Sequence, residues 1–125
     1  MEDVPLLDQE HLSMLLELEA REHSGKLVRM FHHYLDSVPP QLARMRAALA
    51  AGDPGTLSRD AHGLAGSSAM YAMARVRQCC VRLEAHLKSQ PIAEAGALLA
   101  AVERAFEQTR PELLEALARL SPPAP

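Results

Sequence analysis

Apolar residues recur along this chain at helical spacing, in one short stretch and four long ones. Asp8 follows a brief apolar lead (Val4, Leu6, Leu7) and can N-cap a helix from Gln9 to about Arg21. Ser24-Gly25 breaks that pattern. A longer one then runs from Lys26 to Ala51, with Leu27, Met30, Phe31, Tyr34, Leu35, Val38, Leu42, Met45 and Leu49 on one stripe. Pro39-Pro40 falls inside it. Because the stripe resumes in phase afterwards, a kink is expected there rather than two separate helices. The sharpest boundary is Gly52-Asp53-Pro54: Gly just past one helix, Asp as the cap of the next, Pro as its first residue. A third segment extends from Pro54 to about Tyr71. A fourth runs from about Met73 to Lys88 and carries Val76, Cys80, Leu83 and Leu87. After Ser89-Gln90-Pro91 a last helix is expected from near Ile92 to Leu120, kinked at Pro111, and residues 121–125 read as a disordered Pro-rich tail. The prediction is an all-α fold. Residues 1–120 form a single antiparallel up-and-down four-helix bundle, with the short additional N-terminal helix as a lid on one end.

Composition narrows the class further. Of 125 residues, 48% are hydrophobic but only 3% aromatic, so the apolar content is largely Leu, Ala, Met and Val. Sandwiches and barrels lean on aromatic and β-branched side chains, and this vocabulary argues against them. A net charge of −3 with no basic stripe speaks against nucleic acid. The apolar runs are short and interrupted by charge, far from the ~20 residues of a membrane span. Met-Glu-Asp opens the chain where a secretory leader would carry basic residues. Cys79 and Cys80 are adjacent and poorly placed to bridge each other, which suits a reducing cytoplasm. A cytoplasmic, monomeric, free-standing helical protein is expected.

The third segment, PGTLSRDAHGLAGSSAMY, is a poor helix on propensity. Gly63 and Gly66 each cost about 1 kcal/mol relative to Ala in a helix interior, and Ser67 and Ser68 add a few tenths. At about 100° per residue, Leu57, Ala61, Leu64, Ser68 and Tyr71 fall on one narrow stripe facing the core. His62 lies well off that stripe. Its neighbours one turn away are Ser58, Arg59, Ala65 and Gly66, with Ala69 a turn further. Apart from Arg59, all are small. Two readings stay open at this point: an ordinary surface histidine on an Ala-rich helix, or an imidazole left unguarded so that another protein can bring a reactive group to it.

Ala61-His62-Gly63-Leu64-Ala65-Gly66-Ser67-Ser68 closely resembles the signature of histidine-containing phosphotransfer (HPt) domains, usually A-H-x-L-K-G-S-S. The Ala-Ala-Gly-Asp turn before it, the Cys-x-x-Leu-Glu stretch from Cys80 to Glu84 and the Phe-x-x-Tyr-Leu run from Phe31 to Leu35 also look like that family. The resemblance covers about Leu12 to Phe106. It implies that His62 accepts a phosphoryl group from the aspartyl phosphate of one receiver domain, that of a hybrid sensor kinase, and passes it to the receiver aspartate of a response regulator. Neutral imidazole is nucleophilic near pH 7, and phosphohistidine is labile enough to hand the group on. Glu84, twenty-two residues after His62, resembles a family residue on the neighbouring antiparallel helix that accepts from Nδ1 and leaves Nε2 free to attack. The plainer reading of Glu84 is a solvated acid paired with Lys88 at i+4. Ser58, Ala65, Gly66 and Ala69 would border the docking surface.

Two positions depart from the family pattern. The usual Lys three residues after the histidine is Ala65, which leaves Arg59 as the best-placed cation on that helix to steady phosphoryl oxygens. A Gly expected ten residues after the histidine is Ala72, a change expected only to tighten the turn. His32 and His33 are adjacent and diverge by about 100°. His11, His23 and His86 stand singly, so no metal site is expected. The cysteines and methionines read as core filling. With no Gly-rich phosphate loop or kinase ATP-lid motif, the chain is expected to need no cofactor and to be no kinase, but a phosphocarrier. The alternative is a non-catalytic four-helix adaptor that docks receivers or kinases without transfer, favoured by the missing lysine.

Overall fold

A computed structural model describes residues 2–120. They form five α-helices: α1 Gln9–Glu22, α2 Lys26–Ala50, α3 Pro54–Met70, α4 Ala74–Ser89 and α5 Gly96–Leu120. Asp8 caps α1 by accepting from the His11 N–H at 3.0 Å, and Asp53 caps α3 by accepting from the Thr56 N–H at 3.1 Å. Glycines of left-handed backbone flank α2, Gly25 (φ 72°) before it and Gly52 (φ 67°) after it, where the absent Cβ removes the steric penalty. Helix α2 runs unbroken through Pro39 and Pro40, and α5 through Pro111. The exposed proline rings leave Leu35, Val38 and Met45 buried on one continuous stripe.

Helix α5 starts later than its apolar pattern suggests. Ile92–Glu94 is a separate 3-10 turn, and Ala95, fully buried, ends it before Gly96 opens α5. The short turn lets the chain reverse after Pro91 without carrying a strained helix around the corner. The proposed tail, residues 121–125, lies outside the described residues.

Helices α2 to α5 make an antiparallel four-helix bundle in which α3 pairs with α2 and α4, and α5 with α4 and α2. The core is Leu-rich, with Leu35, Leu57, Leu64, Leu83, Leu99 and Leu113 essentially inaccessible. Three of the chain's four aromatic rings gather at the α2–α3 contact. Tyr34 stacks on Tyr71 at 4.9 Å between centroids, and Phe31 meets the edge of Tyr71 at 5.0 Å. The buried Tyr34 hydroxyl pairs with Ser68 Oγ at 2.8 Å, and burial pushes the phenol's pKa up. Both cysteines are buried; burial drives the Cys80 thiol up to about 12, which leaves it an inert packing group.

Helix α1 packs on α2 and α5 and is tied on by polar contacts. Its Glu19, 6% exposed, accepts from the Gly25 and Leu27 N–H groups at 3.0 and 2.9 Å, capping the start of α2. Those hydrogen bonds hold the carboxyl below its usual range, the Gly25 contact foremost. His11 contacts the Met70 carbonyl at 3.0 Å, closing the end of α3.

Two expectations are corrected. Among the described residues only Met45 and Met73 fill the core as supposed; Met14, Met30 and Met70 are 63%, 38% and 59% exposed. Their helices turn those positions outward, and no element covers them. Ala72 does not tighten the turn: it takes the left-handed conformation (φ 62°) that a glycine would, while buried. Its carbonyl accepts from the Asp8 N–H at 2.8 Å, which helps hold that backbone in place.

The Tyr34–Ser68 pair makes a direct stability test. Ser68→Ala leaves a buried hydroxyl without its partner and should lower the unfolding free energy by about 1–3 kcal/mol. In the Tyr34→Phe background the same change should cost much less. Urea denaturation of the two single variants and the double variant measures the difference.

Candidate functional site

The turn at Tyr71 to Met73 folds α4 back along α3. In that pairing His62 and Glu84 come side by side, His62 Nδ1 lying 3.1 Å from Glu84 Oε2 and 3.3 Å from Oε1. The imidazole side chain is 77% exposed, while Glu84 is 21% exposed and thus held at the base of the ring. A carboxylate accepts, so the geometry suits an imidazole that donates from Nδ1–H and leaves its Nε2 lone pair free. A tautomer locked from below is what a nucleophilic imidazole needs. No ion pair joins Lys88 to Glu84, whose carboxylate lies against His62.

The surface round the ring is low. A Cβ added at Gly63 or Gly66 would meet nothing within 4 Å, and both glycines are exposed. Ala69, seven residues on from His62, is exposed and Ser58 half-buried. The motif's serines face elsewhere. Ser67 Oγ donates to the Leu64 carbonyl at 3.2 Å, and Ser68 holds Tyr34. Ala65, expected to border the clearing, is a correction: at 7% exposure it belongs to the core between α3 and α4. Its angular position lies between the exposed His62 face and the buried stripe.

The cations are distributed differently from a reading along α3 alone. Arg59 donates from Nη2 to Thr56 Oγ1 at 3.4 Å, one turn back towards the start of α3 and away from His62. Lys88 stands one turn beyond Glu84 on α4, exposed, with no ion pair or hydrogen bond among the described residues. Its i+4 spacing from Glu84 was legible in the sequence. Where it lies relative to His62 depends on the α3–α4 register. Asp60 faces α2, where its nearest charge is Arg44 at 3.9 Å.

The other histidines serve as local clamps or solvated groups. His11 and His86 reach the Met70 and Pro91 carbonyls, each at 3.0 Å, and His32 and His33 are exposed. Among the described residues no group of three or more His, Cys, Asp or Glu side chains is placed to hold a metal ion. No described helix is long and apolar enough to cross a membrane.

The tautomer is open to direct observation. Long-range nitrogen–proton correlation spectra above the imidazole titration should find His62 protonated on Nδ1. Glu84→Ala should shift it towards the Nε2–H form that free histidine favours. An Nε2–H ring in the parent protein would refute the assigned geometry.

Comparison with known proteins places this site in context. The family model described as the Hpt domain matches residues 29–121. The fold is similar to the crystal structure of histidine-containing phosphotransfer protein B from Pseudomonas aeruginosa PAO1. That match has a TM-score of 0.81 and 26% identity, over 93% of this chain and 97% of that one. It is also similar in fold to the HPT domain of a sensor hybrid histidine kinase from Shewanella, with a TM-score of 0.66 and 23% identity, over 86% of this chain and 93% of that one. No curated protein matches the sequence.

Proposed function

Because the chain belongs to the Hpt domain family, we propose that it is a cytoplasmic phosphocarrier that takes a phosphoryl group onto His62 Nε2 and passes it on. The donor is the aspartyl phosphate of a hybrid sensor kinase's receiver domain, and the recipient is the receiver aspartate of a response regulator. In the first step the Nε2 lone pair forms the P–N bond while the P–O bond to the donor aspartate breaks, releasing a carboxylate. The ring keeps its Nδ1 proton and becomes a phosphorylated imidazolium, whose positive charge the Glu84 carboxylate stabilises. The second step is the reverse, onto another aspartate. The observation that carries this reading is the His62–Glu84 contact at 3.1 Å, made through Nδ1 of a largely exposed ring. Ser58, Gly66 and Ala69 form the rim that a receiver covers, and Ala65 lies beneath it.

The competing reading, an adaptor that docks receivers without transfer, draws on Ala65 standing where a cation is usual. Incubation with purified phosphorylated receiver domains separates the two. The carrier gains an acid-labile, base-stable phosphate, and His62→Gln abolishes it while changing stability by less than about 0.5 kcal/mol, as for an exposed position. Gly66→Leu should stabilise α3 by about 0.5–1 kcal/mol through helix propensity, yet block phosphorylation by crowding Nε2. Labelling that persists in His62→Gln rejects the assignment.

Charge for the phosphoryl oxygens must come from elsewhere than position 65. Arg59 can supply it by swinging from Thr56 towards His62, its planar fork suiting those oxygens. Lys88 offers a second route from α4. Arg59→Ala should slow transfer, and adding Ala65→Lys should restore little of the rate if the buried site keeps that ammonium from the phosphoryl group. If Arg59→Ala is neutral and Lys88→Ala slow, the charge comes from α4. Single-turnover transfer rates for the variants decide it.

A further inference from the structure

Residues 2–7 form an extended strap on α4, outside the stretch that matches the family model. The Val4 N–H donates to Gln78 Oε1 at 3.0 Å, and Gln78 Nε2 donates to the Glu2 carbonyl at 3.1 Å. One amide side chain therefore holds both a donor and an acceptor of the strap backbone. Arg75 Nε donates to the Val4 carbonyl at 2.9 Å, and Arg82 pairs with Asp3 at 2.8 Å. Most of these bonds hold backbone, so the strap's position does not depend on which side chain stands at position 4.

Between the strap and the α3–α4 hairpin lies an open cleft of about 540 Å³. Its apolar lining comes from Val4 on the strap, Ala69 on α3, Ala72 and Ala74 at the turn, and Val81 and Ala85 on α4. Arg77 also lines it and has no ion pair among the described residues. Val81 is 42% exposed, an unusual position for a β-branched apolar side chain with nothing over it.

The cleft and the reactive imidazole share one face. Ala69 lies two turns from His62, about 10 Å along α3, and Val81 lies one turn from Glu84. A partner that brings a phosphoryl group to Nε2 must cover this face. Even a weak, transient docking patch of about 600 Å² per partner has a radius of roughly 14 Å, which takes it across the cleft. The charged lining of the cleft is Arg77, Arg82 and Asp8, and this surplus of one cation favours a partner that is acidic around its phosphorylated aspartate.

We propose that the strap forms one wall of the surface on which the phosphoaspartyl receiver domain docks, with Val4 and Val81 gripping an apolar side chain of that domain. The proposal rests on the phosphotransfer reading and adds to it a binding determinant outside the family's matched region. Val4 would set how tightly a receiver docks, without touching the chemistry at His62.

The experiment uses the full chain and whichever receiver domain phosphorylates it fastest. Val4→Asp keeps the backbone bonds of the strap but puts a carboxylate on the cleft wall. It should weaken the Kd of that receiver, and lower kcat/KM for transfer, by about tenfold, the loss of one good apolar contact. Labelling of His62 by phosphoramidate, a small donor that needs no docking surface, should stay at the parent rate, and so should Tm. Val4→Leu should bind within about twofold of the parent, and Gln78→Ala, which frees the strap, should weaken binding in the same direction as Val4→Asp. Receiver binding by Val4→Asp equal to the parent's overturns the proposal alone. So does a parallel fall in phosphoramidate labelling, since Val4 would then act through the fold. If the parent takes phosphate from no receiver, the phosphotransfer reading fails, and this proposal with it.

Discussion

The pairing of α3 with α4 in one register is the constraint on which the site depends. His62 and Glu84 are separated by twenty-two residues and a turn, and their 3.1 Å contact exists only if the hairpin closes at one residue step. Three features hold that step. Leu64, Val76, Cys80 and Leu83 bury the facing stripes, Ala72 accepts a left-handed backbone at the reversal, and Ser68 ties α3 to Tyr34 on α2. A slip by one residue would rotate Glu84 by about 100° around its helix and take the carboxylate away from the ring.

Within that frame α3 trades helix propensity for access. Gly63 and Gly66 cost backbone entropy, but an added Cβ at either would meet only open space, so nothing in packing requires a glycine there. The residues that do pack, Leu57, Ala61, Leu64, Ala65 and Ser68, lie on the opposite and flanking faces. The helix is thus divided: one side is fastened to α2 and α4, and the other is kept low around the exposed His62 imidazole.

The N-terminal region is fastened by polar contacts as well as by burial of Leu7 and Leu12. Glu19 caps α2, His11 closes α3, and the Asp8 N–H meets the strained Ala72 carbonyl. Each satisfies a backbone group at a helix end or turn that would otherwise lack a partner. The segment that supports the hairpin turn therefore also lines the cleft beside α3 and α4, through Val4 and Asp8.

Much of this was legible in the residues themselves. Periodicity, Asp8 and Asp53 caps and the Gly52-Asp53-Pro54 boundary located the helices, because capping and apolar spacing are local properties of the chain. The small-residue surroundings of His62 were likewise local, being neighbours on one helix. The position of Glu84 beside the ring and the burial of Ala65 were decided by tertiary structure. Each depends on which face of α3 the neighbouring helix covers, and on a register set by packing over the whole hairpin. The same holds for the exposed methionines. Spacing shows that a residue lies on a stripe, but only the arrangement of the other helices decides whether anything covers it.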